Sequence, residues 1–306
     1  MHRSDELHSL LVPQRQTAVV DIGASDLGET PPYQPLLALG LATLIGFEPQ
    51  RELCEKLNAA KGPLQNYLPY AVGDGGRHTF YRTRYPGMSG LKKPNARRLD
   101  QFIPLAEWGT IIGETEIQTH RLDEIVEVST IDFLKIDVEG SELDVFRAGR
   151  QKLSQAVVVW TEVSFVPIYD DQALLGDVDV ELRSLGFLPQ CIKGIFNRMI
   201  APMLPVGQNM SMNGFQQTHA VDMIYCRDFG KMEVMTDEQL KHLALISHHC
   251  LDGYDLAFRS VVELVKRGTL PDAVRDQYID LIKREVNRKM SRQMPHDLIR
   301  YRLTSD

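Results

Sequence analysis

The most constraining feature of this sequence is a series of short apolar runs, each ending in an acidic residue or closely followed by one. Helical segments separate the runs, and strands that alternate with helices are typical of βαβ units in a parallel sheet. In an open parallel sheet, ligands bind beyond the carboxyl ends of the strands, so we expect the acids to line one crevice. The acids that end or follow the predicted strands are Asp21, Glu48, Asp74, Asp137 and Glu162.

The apolar runs predict an α/β fold with a seven-stranded, mostly parallel sheet and helices on both faces. The fifth run is apolar throughout, as expected of a strand that is buried on both faces. The predicted strands cover residues 17–22, 42–47, 67–72, 131–136, 156–161, 186–192 and 220–226.

The carboxy-terminal part of the chain has a different pattern, which predicts helices alone. We expect a helical lead-in over residues 1–16, an α/β domain over residues 17–230 and a helical appendage over residues 231–306. The appendage would pack onto the domain or form a homo-oligomer through its apolar stripes. One such stripe consists of Val274, Tyr278, Leu281 and Ile282.

Charge and cysteine content exclude several classes of protein. With 34 Lys and Arg against 41 Asp and Glu, the net charge of −7 argues against broad, non-specific nucleic-acid binding. The four cysteines lie far apart, which favours neither a zinc site nor a disulfide framework and suits a reducing compartment. The apolar stretches are strand-sized and the amino terminus lacks a cationic region, so we expect a soluble, cytoplasmic protein without a membrane segment.

Two ligands suit a crevice of this kind, a nicotinamide dinucleotide and S-adenosylmethionine. Gly23 and Gly28 follow the first strand, but a complete Gly-x-Gly-x-x-Gly is absent, and Asp21 and Asp26 would repel a pyrophosphate. S-adenosylmethionine carries an ammonium group, a sulfonium and no phosphate, so nearby acids would attract it. Glu48 could accept hydrogen bonds from both ribose hydroxyls. The residues therefore favour the methyl donor.

The order and spacing of four segments resemble those of the FkbM-type methyltransferases. The segments are VVDIGA at 19–24, GFEP at 46–49, AVGD at 71–74 and FLKIDVEGSE at 133–142. The fourth is the most specific of them, and the resemblance extends over roughly residues 17–226. It implies a class I methyltransferase (Rossmann-like) fold, S-adenosylmethionine as donor with S-adenosylhomocysteine as product, and mostly O-methylation of sugars or natural products.

The resemblance also implies roles for individual residues in donor binding. The predicted donor-binding residues are Asp21, Gly23, Ala24, Ser25, Glu48, Pro49, Gly73, Asp74, Ser89 and Asp137. The first three would contact the methionine moiety, Glu48 would hold the ribose, and Asp74 would bind the adenine amino group. Ser89 belongs to a small polar loop that would lie beside the donor, and Asp137 would lie near the transferring methyl group.

The predicted acceptor-side residues are acids at the ends of two strands that should be neighbours in the sheet. Asp137, Glu139 and Glu162 could take a proton from a hydroxyl acceptor or hold a divalent ion through oxygen ligands. We take Asp137 and Glu162 as the catalytic residues and do not favour a metal site. In the alternative interpretation, Glu139 is a turn residue and Glu162 caps the following segment.

A basic stretch leaves alternatives open for the acceptor. Between residues 75 and 99 there is no acid, whereas the basic residues are Arg77, Arg82, Arg84, Lys92, Lys93, Arg97 and Arg98. The stretch could face an anionic small molecule or glycan, or it could be a solvated loop. We expect O-methylation of a sugar, glycan or natural-product hydroxyl. The alternatives are methylation of RNA or protein through this stretch, and a non-catalytic module that binds the donor.

Overall fold

The computed structural model describes residues 5–25, 28, 30–103, 105–202 and 216–289. Asp26, which the sequence places near a dinucleotide phosphate, lies outside these residues. The chain divides into two compact units. Unit 1 comprises the described residues of 1–17, 31–42 and 229–306, and unit 2 those of 18–30 and 43–228. The three consecutive segments expected from the sequence stay a prediction.

The secondary structure follows the expected alternation through most of unit 2. The strands of the described residues are β1 (Thr17–Ile22), β2 (Ala42–Phe47), β3 (Gln65–Leu68), β4 (Ala71–Val72), β5 (Arg77–Thr83), β6 (Phe102–Ile103), β7 (Ile111–His120), β8 (Phe133–Ile136), β9 (Val158–Ser164), β10 (Phe187–Ile200) and β11 (Gln217–Arg227). The helices are α1 (Glu6–Leu11), α2 (Gln34–Ala38), α3 (Arg51–Ala60), α4 (Ala96–Leu99), α5 (Leu105–Trp108), α6 (Glu142–Ala148), α7 (Arg150–Leu153), α8 (Leu175–Ser184), α9 (Asp237–Cys250), α10 (Tyr254–Lys266) and α11 (Ala273–Lys289).

Eight of the described strands form the main sheet, in the order β3-β2-β1-β8-β9-β11-β10-β6. Parallel pairing joins β2 to β3, β1 to β8 and β8 to β9, whereas β11 is antiparallel to both β9 and β10. The prediction of a class I methyltransferase sheet with a mostly parallel core is confirmed. The short strand β6 adds an eighth member at the edge.

The predicted strand at residues 67–72 is wrong as a single element. It divides at Pro69 into β3, which belongs to the main sheet, and β4, which belongs to a second sheet with the order β4-β7-β5. A proline nitrogen carries no hydrogen for a ladder, so strands in a sheet commonly end there. After the break the chain enters the second sheet, in which β5 pairs antiparallel with β7.

The predicted strand at residues 156–161 is β9, and it continues to Ser164. Glu162 therefore lies inside the strand, opposite Asp222 of β11, rather than after the strand's end. The pairing with β11 extends to Ser164 because Val163 and Ser164 are buried and keep the strand conformation. A turn at Glu162 would have left these backbone groups without their ladder partners.

The core of unit 2 lies against the central strands of the main sheet. Phe133, Leu134 and Ile136 of β8 are completely buried, and the helices α6 and α8 cover the sheet through side chains such as Phe146 and Leu182. Burial of one such side chain contributes about 2 kcal/mol, so the central strands are the best-anchored part of the sheet. The turns at their carboxyl ends thus start from fixed positions.

Unit 1 is helical in its carboxy-terminal part. Thr236 and Gln239 form a capping box at the start of α9, in which Thr236 Oγ1 accepts the Gln239 N–H at 3.2 Å and Gln239 Oε1 accepts the Thr236 N–H at 2.9 Å. The apolar stripe predicted at Val274, Tyr278, Leu281 and Ile282 is buried. None of the described helices has the length and apolar character that a membrane crossing requires.

Candidate active site

A cavity of about 860 Å³ opens at the carboxyl ends of β1, β2, β4 and β8. Helix α3 and the antiparallel pair of β5 and β7 supply its other walls. A cavity of this size accommodates a small-molecule ligand. Six of the predicted donor-binding residues meet there: Gly23, Ser25, Glu48, Pro49, Ser89 and Asp137.

Backbone contacts hold the strand-end turns together at the floor of this cavity. The Gly23 N–H donates to the Phe47 carbonyl at 3.1 Å, and the Asp137 N–H donates to the Ile22 carbonyl at 3.0 Å. Gly23 has φ +85°, and a Cβ at this position would lie 1.9 Å from the Asp137 carbonyl oxygen. Only glycine therefore allows the turn after β1 to pack against the turn after β8.

Glu48 presents a buried carboxylate to the cavity. The residue is 4% exposed, and its Oε1 accepts the Gln50 N–H at 2.7 Å. Among the described residues, no Lys, Arg or His forms an ion pair with it. Burial raises the pKa of Glu48 to about 7, against the opposing effect of the Gln50 hydrogen bond. Such a group readily accepts hydrogen bonds from ligand hydroxyls.

Lys135 of β8 lies between two of the predicted site acids. Its Nζ is 3.5 Å from Asp21 Oδ1 and 3.8 Å from Asp137 Oδ2. Burial alone would lower the pKa of the Lys135 ammonium, but Asp21 and Asp137 hold it above its usual value, so the ammonium stays charged. Asp21 is 4% exposed and does not line the cavity. It acts on the site through Lys135.

Glu139 lines the cavity two residues after Asp137. It occupies the left-handed region at φ +55°, which is strained for a residue other than glycine. Its Oε2 accepts a hydrogen bond from the Tyr169 hydroxyl at 2.6 Å. Burial, followed by the neighbouring Asp137 charge, raises the pKa of Glu139 well above its usual range.

Two further carboxylates lie near Asp137. Glu142 is buried and its Oε1 accepts the N–H groups of Val138 and Gly140 at 3.0 and 3.3 Å, which shapes the turn after β8. Glu162 is half-buried and does not line the cavity, and burial together with Asp137 raises its pKa well above the usual range. Within the described part of the chain, no group of three or more His, Cys, Asp or Glu residues is arranged to hold a metal ion.

Ser89 and Ala24 support the cavity in different ways. The Ser89 hydroxyl accepts the Thr83 N–H at 3.1 Å and lies 3.2 Å from Thr83 Oγ1, so it shapes the loop that forms part of the wall. Ala24 is 5% exposed and packs beneath the turn after β1 without lining the cavity.

Asp74 and Gly73 lie away from the larger cavity, on a separate space of about 20 Å³. The Asp74 Oδ1 accepts the Gly76 N–H at 2.8 Å and lies 2.7 Å from His78 Nε2. These two contacts, the Gly76 hydrogen bond first, lower the pKa of Asp74. The structure gives Asp74 the contacts of a turn residue, and its predicted role at the adenine stays a prediction.

Sequence reasoning missed three kinds of site residue. Lys135 belongs to the most specific segment, so its position between two strand-end acids was available from the alternation of β8. Tyr169 lies in an irregular segment after β9 and carries no motif. Besides Arg82, which the sequence already placed in the basic stretch, the side chains of β5 and β7 that line the cavity are Phe80, Thr115 and Ile117.

Comparisons of the whole sequence point to one family. A family model described as "Methyltransferase FkbM domain" matches residues 21–189. The curated protein 2-O-methyltransferase NoeI of Sinorhizobium fredii (strain NBRC 101917 / NGR234) is 25% identical over 197 residues, which cover 60% of this chain and 79% of that protein.

Similarity to solved structures is weaker. Magnesium protoporphyrin IX methyltransferase from Synechocystis PCC 6803, solved with bound SAM, has 11% identity and a TM-score of 0.36 over 72% of this chain and 78% of its own. The plantazolicin methyltransferase BpumL, in complex with SAH, has 9% identity and a TM-score of 0.33 over 73% of this chain and 80% of its own. Similarities at this level identify no function.

Proposed function

The chain belongs to the FkbM family of S-adenosylmethionine-dependent methyltransferases, and we propose that it methylates a hydroxyl group of a sugar, a glycan or a natural product. The observation that carries the proposal is the single cavity that unites Gly23, Glu48 and Asp137 at neighbouring strand ends. The 2-O-methyltransferase among its relatives supports transfer to oxygen.

The charges of the cavity fit the donor, which supplies a methyl group on a positively charged sulfonium. Asp137 and Glu139 line the cavity, and Lys135 is the cation that lies between Asp21 and Asp137. The cations Arg51, Lys56 and Arg82 line the cavity on α3 and β5, whereas at the floor the carboxylates of Asp21 and Asp137 flank the ammonium of Lys135. The floor of the site therefore favours a cationic ligand over a pyrophosphate. Glu48 would accept the ribose hydroxyls with its buried carboxylate.

We assign the acceptor side to Asp137 and Glu162. Asp137 lines the cavity beside the donor residues, so its charge would orient the acceptor or stabilise the developing charges of an in-line displacement. Glu162 of β9 does not line the cavity, and its carboxylate would act on the acceptor region through its electrostatic interaction with Asp137 and Glu139.

The basic stretch supports an anionic acceptor. Arg82 lines the cavity, whereas Arg84 pairs with Glu107 at 3.0 Å and Lys92 pairs with Asp144 at 2.9 Å. Within the basic stretch, the guanidinium of Arg82 therefore faces the ligand space, where it could bind a carboxylate or phosphate on the acceptor. If the acceptor were RNA or protein, its binding through the basic stretch would instead weaken steeply with salt.

The cytoplasmic location and homo-oligomerisation through the carboxy-terminal helices stay predictions.

Calorimetry and a labelled-donor screen test this function together. We expect the purified protein to bind S-adenosylmethionine and not NAD, and to transfer the labelled methyl group to hexoses, deoxyhexoses or their methyl glycosides. Tight NAD binding without donor binding would exclude a methyltransferase. Donor binding with no transfer to any acceptor would favour the non-catalytic donor-binding module.

A further inference from the structure

Three carboxylates near the region of methyl transfer differ in the groups that contact them and in their access to the cavity. Asp137 is engaged by the Lys135 ammonium at 3.8 Å, and Glu162 does not line the cavity. Glu139 lines the cavity and is held by a neutral phenol, the hydroxyl of Tyr169 at 2.6 Å. Of the three, Glu139 alone combines access to a ligand with a carboxylate that forms no ion pair with the Lys, Arg or His side chains that the structure describes.

The position of Glu139 is fixed by its neighbours. Its backbone is in the left-handed region, and a Cβ on Gly90 would come within 3.1 Å of the Glu139 Cβ, so the loop of residues 88–91 packs closely against it. Tyr169 is 2% exposed, and its N–H donates to Gln172 Oε1 at 3.2 Å. The apolar cluster around the Tyr169 ring consists of Met88, Leu99, Phe102, Leu105 and Ile168.

The Tyr169 hydroxyl has two acceptors within reach and only one hydrogen to donate. Glu139 Oε2 lies 2.6 Å away and the Met88 carbonyl oxygen 3.2 Å away. When Glu139 is ionised, the phenol donates to its carboxylate. When Glu139 is protonated, the phenol can accept the carboxyl hydrogen and donate to Met88. Both protonation states of Glu139 are therefore hydrogen-bonded without any movement of the backbone.

We propose that Glu139 is the catalytic base that takes the proton of the acceptor hydroxyl, and that Tyr169 is its positioning residue. The inference rests on the proposed function. The acceptor oxygen forms a bond to the methyl carbon, the carbon–sulfur bond breaks, and sulfur keeps that electron pair to become a neutral thioether. The hydroxyl proton passes to Glu139, which later releases it to solvent.

The surroundings of Glu139 suit a base. Burial and Asp137 raise its pKa, while the Tyr169 hydrogen bond and Lys135 oppose that rise. Burial and Glu139 itself raise the pKa of Tyr169, so the phenol keeps its hydrogen throughout the assay range. The ionisable groups that act on Glu139 are Lys135, Asp137, Glu142, Glu162 and Tyr169.

The test is the pH profile of kcat/KM, measured with labelled S-adenosylmethionine and the best acceptor of the sugar panel. We expect an activity that rises with pH as Glu139 ionises. Glu139→Gln should lower kcat/KM about 100-fold or more and abolish that rise, because an amide takes no proton. Tyr169→Phe should move the rise to higher pH by about one unit, since the ionised carboxylate loses its donor.

Tyr225→Phe is the matched control. Tyr225 is also a buried phenol, and it donates to the Asp179 carboxylate at 3.2 Å outside the cavity. It should leave the pH profile in place while removing a similar hydrogen bond. Binding of S-adenosylhomocysteine, which lacks the sulfonium charge, reports that each variant has folded.

The outcomes separate this inference from the proposed function. If Glu139→Gln binds the product normally and keeps both its turnover and its pH profile, Glu139 is not the base and the methyltransferase assignment stands. An equal shift in the two tyrosine variants, or none in Tyr169→Phe, overturns the role of Tyr169. If the wild type binds the donor and methylates nothing, the proposed function fails and the inference falls with it.

Discussion

The turn after β2 and the turn after β8 present carboxylates to the same cavity, but the two groups are held in opposite ways. Glu48 is 4% exposed and bonds to a backbone N–H, whereas the Asp137 side chain is 41% exposed and lies beside the Lys135 ammonium. Glu48 can be neutral or charged near neutral pH, whereas Asp137 lies beside a cation. Equivalent places at strand ends thus carry different chemistry, hydroxyl binding at one and charge at the other.

The turn after β1 packs against the turn after β8 at Gly23, so a substitution there tests whether the site depends on this contact. Gly23→Ala would place a Cβ 1.9 Å from the Asp137 carbonyl oxygen in a backbone that has φ +85°. Strain and overlap together should lower the free energy of unfolding by about 3 kcal/mol or more, measured by urea denaturation. Gly28→Ala is the control, because Gly28 has φ +83° but no atom of the described residues lies within 4 Å of the added Cβ. If both variants lost the same free energy of unfolding, the contact with Asp137 would not contribute to stability.

Asp137→Asn tests the charged side of the comparison. Asparagine keeps the size and one acceptor oxygen of the side chain but removes the negative charge beside Lys135. Turnover should fall by about two orders of magnitude while the melting temperature changes little, because the backbone contacts of the turn persist. Full activity would contradict the role of Asp137 and leave Glu162 as the stronger of the two sequence-predicted catalytic residues.

Glu48→Gln tests the hydroxyl-binding side. The donor should bind roughly 1–3 kcal/mol more weakly, because the variant loses a charged acceptor for two hydroxyls. In the wild type, affinity should fall as the pH drops through about 7, since protonation converts the Glu48 carboxylate to a carboxylic acid. Calorimetry between pH 6 and pH 8, in about half-unit steps, should show this slope in the wild type and not in the variant.

Glu55→Gln provides the control for that titration. Glu55 lies on α3, the helix that follows Glu48, its side chain is 72% exposed, and it does not line the cavity. The variant makes the same charge change without touching the ligand space, so it should keep the wild-type pH dependence. A slope that disappears in both variants would mean that net charge, and not the Glu48 carboxylate, governs donor affinity.

The local sequence predicts the donor-binding residues better than the residues on the acceptor side. Glu48 and Asp137 follow apolar runs directly, so strand periodicity alone locates them at one edge of the sheet. The strand end at Glu162 was misplaced because its continuation depends on pairing with β11, about 60 residues further along the chain. Tyr169 reaches Glu139 through an irregular segment, and no local pattern encodes such a contact.

Strands β5 and β7 belong to the second sheet, and their own residues take no part in the ladders of the main sheet, although the segment between them places β6 against β10 at the edge of that sheet. The two strands nevertheless supply Phe80, Arg82, Thr115 and Ile117 to the cavity. One wall of the ligand space is thus built on strands outside the main sheet. Its side chains can change without breaking a ladder that holds the strand-end turns. Acceptor choice and donor retention can therefore evolve on different parts of the chain.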